Sequence, residues 1–441
     1  MAYLPQILFI IALGFSTWFF TRNVKRLRRN ILLGKDVDKT DNKSKRLKKM
    51  IRVALGQSKM VTRPFAGFLH VLVYVGFVII NIEVLEIIID GIFGTHRIFS
   101  FIGPVYDVLI GSFEILAFLV LISVILFWTR RNIAKIKRFW SKEMTSWPKN
   151  DANNILYFEV VLMALFLTMN ATDYQLQLNN AEHYSQAGAF PISQFLLPFF
   201  ESLSQSSLMI IERSAWWLHI LGIFFFLNYL YYSKHLHILL AFPNVYYSKL
   251  KSKGQFSHNE TVANEVKMMM DPDADPYATP EDDEDNVPEK FGASDATDLN
   301  WFQLLSAYTC TECGRCTSEC PANKTGKKLS PRKIMMDTRD RLEEIGENIN
   351  TNGEFKPDDK QLLDDYISRE ELWACTTCNA CVEACPVGID PLSIIMDMRQ
   401  YLVMEESAAP AELNNAMTNI ENNAAPWPYN QQDRLNWVQE N

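Results

Sequence analysis

Hydrophobic residues are distributed unevenly along this chain of 441 residues. Long apolar stretches fill the first 243 residues or so, and the remainder is charged, acidic and polar. A helix needs roughly 20 apolar residues to cross a bilayer. The pattern therefore predicts five transmembrane helices, the fourth of them short, at residues 4–21, 64–89, 105–128, 155–170 and 215–240.

Two other apolar segments are interpreted differently. Residues 190–211 are interrupted by prolines, serines and a glutamate, which predicts an amphipathic segment at the membrane interface and not a sixth span. Residues 1–21 lack a basic start and a small-residue cleavage site, so we expect a retained span and not a cleaved signal.

The loops between the predicted spans differ strongly in basic residues. Residues 22–63 contain 15 Lys or Arg and residues 129–150 contain seven, whereas the two opposite loops contain only Arg97 and Arg213. Lys and Arg accumulate in cytoplasmic loops. The pattern predicts a multi-pass protein of the cytoplasmic (inner) membrane, with the N-terminus outside and everything after the fifth span in the cytoplasm.

The polar part of the chain divides into three regions. After the membrane domain (1–243) we expect an acidic flexible linker (244–297), whose run PEDDEDN at 280–286 cannot build a core. A cytosolic α-helical ferredoxin domain (298–405) and an extended C-terminal arm (406–441) follow. The fold class predicted is thus mainly α, a five-helix membrane bundle followed by a helical ferredoxin.

An internal repeat supports the helical ferredoxin. Pro331-x-x-Ile334-x-Met336-Asp337-x-Arg339 returns as Pro391-x-x-Ile394-x-Met396-Asp397-x-Arg399. Proline in the first turn is typical of a helix start, so each copy predicts a helix. Two such units suggest pseudo-twofold symmetry.

All eight cysteines lie in two copies of C-x-x-C-x-x-C-x-x-x-C-P, at 310–321 and 375–386. This run is typical of bacterial [4Fe–4S] ligation, in which the fourth cysteine serves the other cluster of a two-cluster protein. The pattern predicts two clusters, one held by Cys310, Cys313, Cys316 and Cys385, the other by Cys375, Cys378, Cys381 and Cys320.

Zinc and disulfides are the alternatives. Zinc sites use two pairs of ligands and not four cysteines and a proline per run, and disulfides are disfavoured in the cytosol. A net charge of −8 and no basic cluster near the cysteines argue against nucleic acid as a partner.

Histidines lie on the predicted second and fifth spans, where ionisable side chains usually mark a function. Imidazoles on facing helices are typical axial ligands of b-type haem. His219 and His237 are about 27 Å apart on a continuous helix, so one haem cannot bind both. His70 matches the depth of His237, which makes them the predicted pair, with His235 as the alternative to His237.

His219 has no partner at its own predicted depth. A second haem would need His96, His183 or a non-histidine ligand, and otherwise His219 lines a quinone pocket. Carboxyl groups in the spans either relay quinone protons or make helix contacts, namely those of Glu83, Glu86, Glu114 and Glu159.

The stretch WWLHILGIFFFLNYLYYSKHLHILLAFPN resembles the last helix of the nitrate reductase gamma-subunit type of cytochrome b. That resemblance implies five spans and haem ligands on spans two and five, with His70, His219 and His237 at matching positions. The chain departs from the two-haem pattern at Ile80. The implied cofactor is one haem b, or two if the second site is completed differently.

From Trp301, WFQLLSAYTCTECGRCTSECP resembles the iron–sulfur part of heterodisulfide reductase-like oxidoreductases. The fused arrangement is similar to the membrane-bound electron-transfer-flavoprotein:menaquinone oxidoreductases, which continue into cysteine-rich CCG domains. This sequence has no CCG motif, and APWPYNQQDRLNWVQEN, with Trp427 and Trp437, resembles the segment that precedes it. The resemblance implies a separate CCG-domain iron–sulfur subunit as partner, electron-transfer flavoprotein as donor and menaquinone as substrate.

These features predict an oxidoreductase subunit that passes electrons between a cytosolic partner and the quinone pool. No G-x-G-x-x-G occurs, so flavin or nicotinamide would lie on another polypeptide. One alternative is quinol oxidation that delivers electrons to a cytosolic heterodisulfide or sulfur-compound reductase. Another is a non-catalytic membrane anchor or redox sensor.

Overall fold

The computed structural model describes residues 3–184, 186–252, 254–256, 260–272 and 290–439, so the acidic run at 280–286 lies outside the described residues. In these ranges the chain is helical and contains no β-strand, only two isolated bridges. The α-helices are α1 (Leu4–Ile31), α2 (Lys43–Met50), α3 (Pro64–Phe93), α4 (Pro104–Asn132), α5 (Ser146–Leu178), α6 (Gln205–Tyr229), α7 (His237–Tyr247), α8 (Glu260–Met270), α9 (Trp301–Thr309), α10 (Arg315–Glu319), α11 (Pro321–Lys324), α12 (Pro331–Asn352), α13 (Leu362–Asp365), α14 (Arg369–Trp373), α15 (Ala380–Ala384), α16 (Pro391–Met404), α17 (Ala411–Asn423) and α18 (Asn436–Gln439).

Five of these helices, α1, α3, α4, α5 and α6, are long and apolar enough to cross a membrane. This confirms the number of predicted spans. The fourth, expected to be short at 155–170, is instead the longest, with 33 residues. Its ends carry buried polar residues such as Asp151, Asp173 and Gln177. A span predicted from apolar residues alone ends where polar residues begin, because every polar residue is counted as exposed even when it is buried.

The last membrane helix is displaced from its predicted position. It begins at Gln205, where the Ser204 side chain accepts a hydrogen bond from the backbone N–H of Ser207, an N-cap. The expected interfacial segment 190–211 therefore divides into a short 3₁₀ helix at Ser193–Phe199 and the first turns of α6. The helix also ends at Tyr229, short of residue 240, because Ser233 is in an extended conformation before α7 begins.

Helix α1 lies against the bundle along one narrow face. Its buried residues include Phe9, Ser16, Asn23 and Asn30, which are spaced seven residues apart. Seven residues are close to two helical turns, so these side chains align on one side. In lipid, close packing and interhelical hydrogen bonds hold helices together. One such hydrogen bond joins α6 to α1, where the Asn228 amide donates to Ser16 Oγ at 2.8 Å.

The centre of the bundle is formed by α5, which packs against α4 and α6, while α3 packs against α4. Ile110, Phe113, Phe166 and Ile220 are almost completely buried there. These apolar contacts fix the relative positions of the helices that carry the histidines.

The C-terminal helices form a compact unit around the cysteines. Helices α12 and α16 both begin with proline and are N-capped by Ser330 and Asp390, which confirms the helices predicted from the repeat. A continuous apolar core joins this unit to the membrane helices, with Leu27 and Phe226 in the same cluster as Leu304.

Polar contacts add to this junction. Arg332 is fully buried and pairs with Glu143 at 2.6 Å, and the Ser306 hydroxyl donates to Asn244 at 2.7 Å. Asn244 in turn donates to the carbonyl oxygen of Val387 at 2.9 Å. The cysteine-bearing unit is therefore held firmly against one end of the bundle.

The expected region boundaries differ from the packed structure. Helix α7 crosses residue 243, and α8 lies inside the expected linker. Ala293 and Ala296 are completely buried, so the packed unit includes residues before 298. The arm expected to be extended contains α17, a 13-residue helix with no buried residue.

Candidate metal centres

The two cysteine runs have the same backbone path. In the first, Cys310 follows α9, and Glu312 (φ 53°) and Gly314 (φ 70°) adopt left-handed conformations. In the second, Thr377 (φ 55°) and Asn379 (φ 60°) do so at the corresponding positions. Such residues reverse the chain sharply. Each loop therefore curls around its own thiols before a short helix, α10 or α15.

The fourth cysteine of each run lies with the other run. Cys320 lines one pocket together with Cys375, Cys378 and Cys381. Cys385 interacts electrostatically with Cys310, Cys313 and Cys316. The structure thus assembles the same two crossed sets of four thiols that the sequence pattern predicts as ligand sets.

The thiols are far from equally exposed. Cys310, Cys320 and Cys381 are buried, whereas Cys378 is exposed. Burial, followed by nearby negative groups, raises the pKa of Cys310 and of Cys381 to about 12. Such thiols remain protonated at neutral pH unless a bound cation stabilises the thiolate.

The spacing of the thiols bears on the zinc alternative. Across the described part of the chain, no three His, Cys, Asp or Glu side chains converge on a position suited to a single metal ion. In a cluster each thiolate binds a different iron, so its sulfur atoms stand farther apart than around one zinc ion. Each set of four thiols would hold a cluster through one thiolate to each iron.

Glu312 connects the first cysteine loop to the histidine-bearing segment. Its buried carboxylate pairs with Lys234 and, at 2.7 Å, with Arg339. Burial alone would raise the pKa of Glu312, but Lys234 and Arg339 outweigh burial and hold it below its usual range. Lys234 also donates its backbone N–H to Asp151 at 3.1 Å.

Arginines surround the thiols of the first set. Arg63, Arg138 and Arg315 lie within electrostatic range of one another, and both Arg138 and Arg315 interact with Cys313. Burial, with Arg63 nearby, lowers the pKa of Arg138 to about 10, so it is still cationic at neutral pH. A thiolate-bound cluster is anionic, and these cations would favour its reduced form.

The sequence holds no signal that pairs Glu312 with Lys234, because the two residues are 78 positions apart. Asp151 and Lys234 could have been noticed as candidates from the sequence, since each is a charged residue beside an apolar segment. Only the tertiary structure reveals that these side chains meet.

His70 on α3 and His237 at the start of α7 face each other with ring centroids 6.4 Å apart. These two imidazoles would hold a b-type haem, which would supply one-electron chemistry at this position. His237 donates from Nδ1 to the carbonyl oxygen of Lys234 at 3.1 Å, which leaves Nε2 free to bind a metal. His70 Nδ1 is buried without a hydrogen-bond partner. The pair fits a bis-imidazole haem site.

His235 lies beside this pair, with its ring 5.4 Å from that of His237 and perpendicular to it. Both residues follow the break at Ser233, so they are not on a continuous helix with His219. The expected 27 Å helical separation therefore does not apply.

His219 lies in the middle of α6 and not near its start, because α6 begins ten residues before the expected span. It is 2% exposed and donates from Nδ1 to the carbonyl oxygen of Leu162 at 3.0 Å. His96 instead pairs with Asp173 at 3.6 Å and contacts the Tyr184 ring. No contact joins His96 to His219 among the described residues.

The carboxyl groups of the spans have different surroundings. Glu114 accepts hydrogen bonds from the backbone N–H groups of Ile192 and Ser193, which is a structural contact between helices. Glu86 accepts from the backbone N–H of Phe99 and from the Tyr106 hydroxyl. Glu83 has a buried oxygen without a partner.

Comparison with known protein families defines the class of the C-terminal region. Residues 309–389 match the 4Fe-4S dicluster domain. This part of the chain, with all eight cysteines, is a 4Fe–4S dicluster domain.

Relatives extend the comparison to the membrane part. The chain is 29% identical to the probable iron-sulfur-binding oxidoreductase FadF of Bacillus subtilis, over 98% of this chain and 61% of the relative. It is 26% identical to the EtfAB:quinone oxidoreductase of Syntrophomonas wolfei, over 94% of this chain and 57% of the relative. The chain thus spans less than two thirds of the length of these curated relatives, both of which are named oxidoreductases.

A third relative matches a shorter part of the chain. It is an iron-sulfur subunit of the CoB--CoM heterodisulfide reductase of Methanopyrus kandleri, and it is 30% identical over 26% of this chain and 49% of the relative. No solved structure matches the chain significantly.

Proposed function

We propose that this chain is a membrane electron-transfer subunit that connects a cytosolic redox partner with the menaquinone pool. In this proposal the two crossed cysteine sets hold [4Fe–4S] clusters, and His70 and His237 hold a b-type haem. The bound cofactors supply one-electron chemistry at potentials that the protein adjusts.

The observation that carries the proposal is the position of the histidine pair beside the first cysteine loop. Arg315, the first residue of α10 directly after that loop, is within electrostatic range of His70 and of both Cys313 and Cys385. Lys234, three residues before His237, is paired with Glu312 of the same loop. The chain therefore holds the imidazoles and the first set of thiols in fixed proximity.

The unequal exposure of the cysteines suggests the order in which an electron passes through the two cysteine sets. Cys378 of the second set is exposed, whereas the loop of the first set is joined through Glu312 to Lys234, three residues before His237. An electron from a soluble partner would therefore enter at the second set and leave through the first. The excess of basic residues in the loops on the same side supports a cytoplasmic position for both sets.

We propose electron-transfer flavoprotein as the donor, because one long relative is named an EtfAB:quinone oxidoreductase. A separate CCG-domain iron–sulfur subunit would be the direct neighbour. The unburied helix α17 and the exposed Trp427 and Trp437 offer a surface on which it would dock.

A second candidate function reverses the flow, with quinol oxidised and electrons delivered to a cytosolic heterodisulfide or sulfur-compound reductase. The similarity of the cysteine region to an iron-sulfur subunit of a heterodisulfide reductase favours this alternative. Identification of the partner that co-purifies with the chain distinguishes the two directions.

The test is a reduced-minus-oxidised spectrum of the purified protein, followed by addition of a menaquinone analogue. We expect a b-haem band at ~560 nm that is lost when the analogue reoxidises the reduced protein. A spectrum without this band would contradict the proposal and favour a membrane anchor or sensor.

A further inference from the structure

A polar cavity lies in the bundle at the end opposite the cysteine-bearing unit. It forms where α3 and α5 end and α6 begins, and carboxyl groups dominate its lining. These belong to Glu83, Glu86, Asp90, Asp173 and Glu212. His96, Arg97 and Arg213 also line it.

Most of these carboxylates have well-placed hydrogen-bond donors. Asp173 accepts from Arg97 Nε at 2.6 Å, and Asp90 accepts from the Arg97 backbone N–H at 2.8 Å. Glu86 accepts from the Tyr106 hydroxyl at 2.9 Å. Glu212 accepts from the Tyr184 hydroxyl, also at 2.9 Å. These groups are stabilised as acceptors.

Glu83 is the exception. It is 3% exposed, and its Oε2 has no hydrogen-bond partner. The nearby Arg97 guanidinium is already committed to Asp173, Tyr106 and Asn170. A buried carboxylate without a partner is costly, so a carboxyl group in this position is stable when it carries a proton.

The charge balance of the cavity leads to the same conclusion. Five carboxyl groups face two arginines, and Glu114 on α4 lies within electrostatic range of Glu83 as well. Protons bound to some of these carboxyl groups would offset the excess of negative charge.

We propose that Glu83 carries an exchangeable proton and that the cavity is a proton-transfer route between Glu83 and the membrane face opposite the cysteine-bearing unit. From Glu83 the route passes Glu86 and Tyr106 and then Asp173, while Arg97 keeps its own proton and holds Tyr106 and Asp173 in place by donating to both. The route reaches the surface at His96, whose side chain is 20% exposed.

The route supplies the protons that quinone reduction consumes, and in this role it rests on the proposed function. Reduction of one quinone to quinol consumes two electrons and two protons. The electrons arrive from the side of the cysteines, and each proton that Glu83 releases is replaced through the cavity. Quinol oxidation would use the same route in the opposite direction.

The first measurement needs no quinone activity. Infrared spectra of the purified full chain at neutral pH are compared between wild type and Glu83→Gln. We expect the wild type to show the carbonyl band of one additional protonated carboxyl group. If the substitution removes only the bands of an ionised carboxylate, the proposal is overturned.

The second measurement follows quinone-analogue reduction in vesicles, with a water-soluble reductant on the cysteine side. We expect Glu83→Gln to slow turnover about tenfold or more, as for loss of a proton-transfer group, with haem and iron content unchanged. Glu83→Asp should restore part of the rate. In wild type the rate of quinone-analogue reduction should depend on the pH at the membrane face opposite the cysteine-bearing unit.

Glu201→Gln is the control, because Glu201 is an exposed glutamate between α5 and α6 that does not line the cavity. Equal rates in the Glu83 and Glu201 variants would overturn the route. If the wild type did not reduce the quinone analogue but did show the carboxyl band, the proposed function would be refuted. The protonated state of Glu83 would still be supported.

Discussion

The ion pair between the cysteine loop and the histidine segment allows a quantitative prediction. In Glu312→Gln, Lys234 and Arg339 lose the carboxylate they share while the shape of the side chain is kept, and each retains one other anionic partner, Asp151 at 3.9 Å and Asp340 at 2.9 Å. Glu312, Lys234 and Arg339 are 2%, 9% and 15% exposed, so water screens the pairs poorly. Breaking a buried pair from one side costs about 3–5 kcal/mol. Glutamine still accepts hydrogen bonds, so we expect the lower end, about 3 kcal/mol.

A loss of about 3 kcal/mol raises a local opening equilibrium roughly 100-fold. Hydrogen–deuterium exchange reports such openings, because amides exchange only when their segment opens. We therefore expect peptides spanning 305–320 to exchange roughly 100-fold faster in Glu312→Gln, with iron lost to a chelator at a similarly increased rate. Peptides from α4 should be unaffected.

Glu319→Gln is the control within the same run. Its carboxylate pairs with Arg63 and Lys324 but is 44% exposed, and surface pairs contribute about 0–1 kcal/mol. Its exchange should increase no more than about fivefold. If both variants exchanged at the same rate, the buried ion pair would not stabilise the loop, and the reasoning would be refuted.

Three further predictions follow. His70→Ala should abolish the b-haem band while iron–sulfur signals persist, and full haem content would contradict the pairing with His237. Cys385→Ala should remove the cluster of the first loop in electron paramagnetic resonance, whereas loss of the second-loop cluster would contradict the crossed sets. Arg332 and Ser330 outweigh burial and hold the pKa of Glu143 below 4.5. Its contribution to stability is therefore present above about pH 4.5 and lost as pH falls through the lowered pKa. Thermal unfolding should show this loss in wild type but not in Glu143→Gln.

Much of the architecture could be predicted because it depends on local patterns. Apolar length specifies a membrane helix, and proline at a helix start specifies where α12 and α16 begin. The cysteine spacing likewise predicts which thiols lie together, since in two-cluster proteins of this pattern the fourth cysteine of each run serves the other cluster. These features need no knowledge of the tertiary structure.

Other features depend on contacts that sequence patterns do not report. The ends of α5 contain Asp151 and Asp173, whose partners lie far away in sequence, so the apolar pattern predicts a much shorter helix. The break at Ser233 is hidden inside a continuous apolar stretch. It places His237 on a separate helix, where its Nδ1 meets the Lys234 carbonyl group.

The cavity around Glu83 illustrates the same limit. The sequence identifies the glutamates of the spans but not which of them lack partners. Glu114 is satisfied by the backbone of a segment that enters the bundle 78 residues later, whereas Glu83 is not. Burial and hydrogen bonding separate two residues that look alike in the sequence.

Two iron–sulfur clusters and a histidine-bound haem are expected to occupy one chain. The most direct test is the ratio of iron to haem in a single anaerobic preparation, with haem measured by pyridine haemochrome. We predict about nine iron atoms for each haem, eight of them in the clusters. Iron without haem, or about four non-haem iron atoms or fewer, would contradict the account.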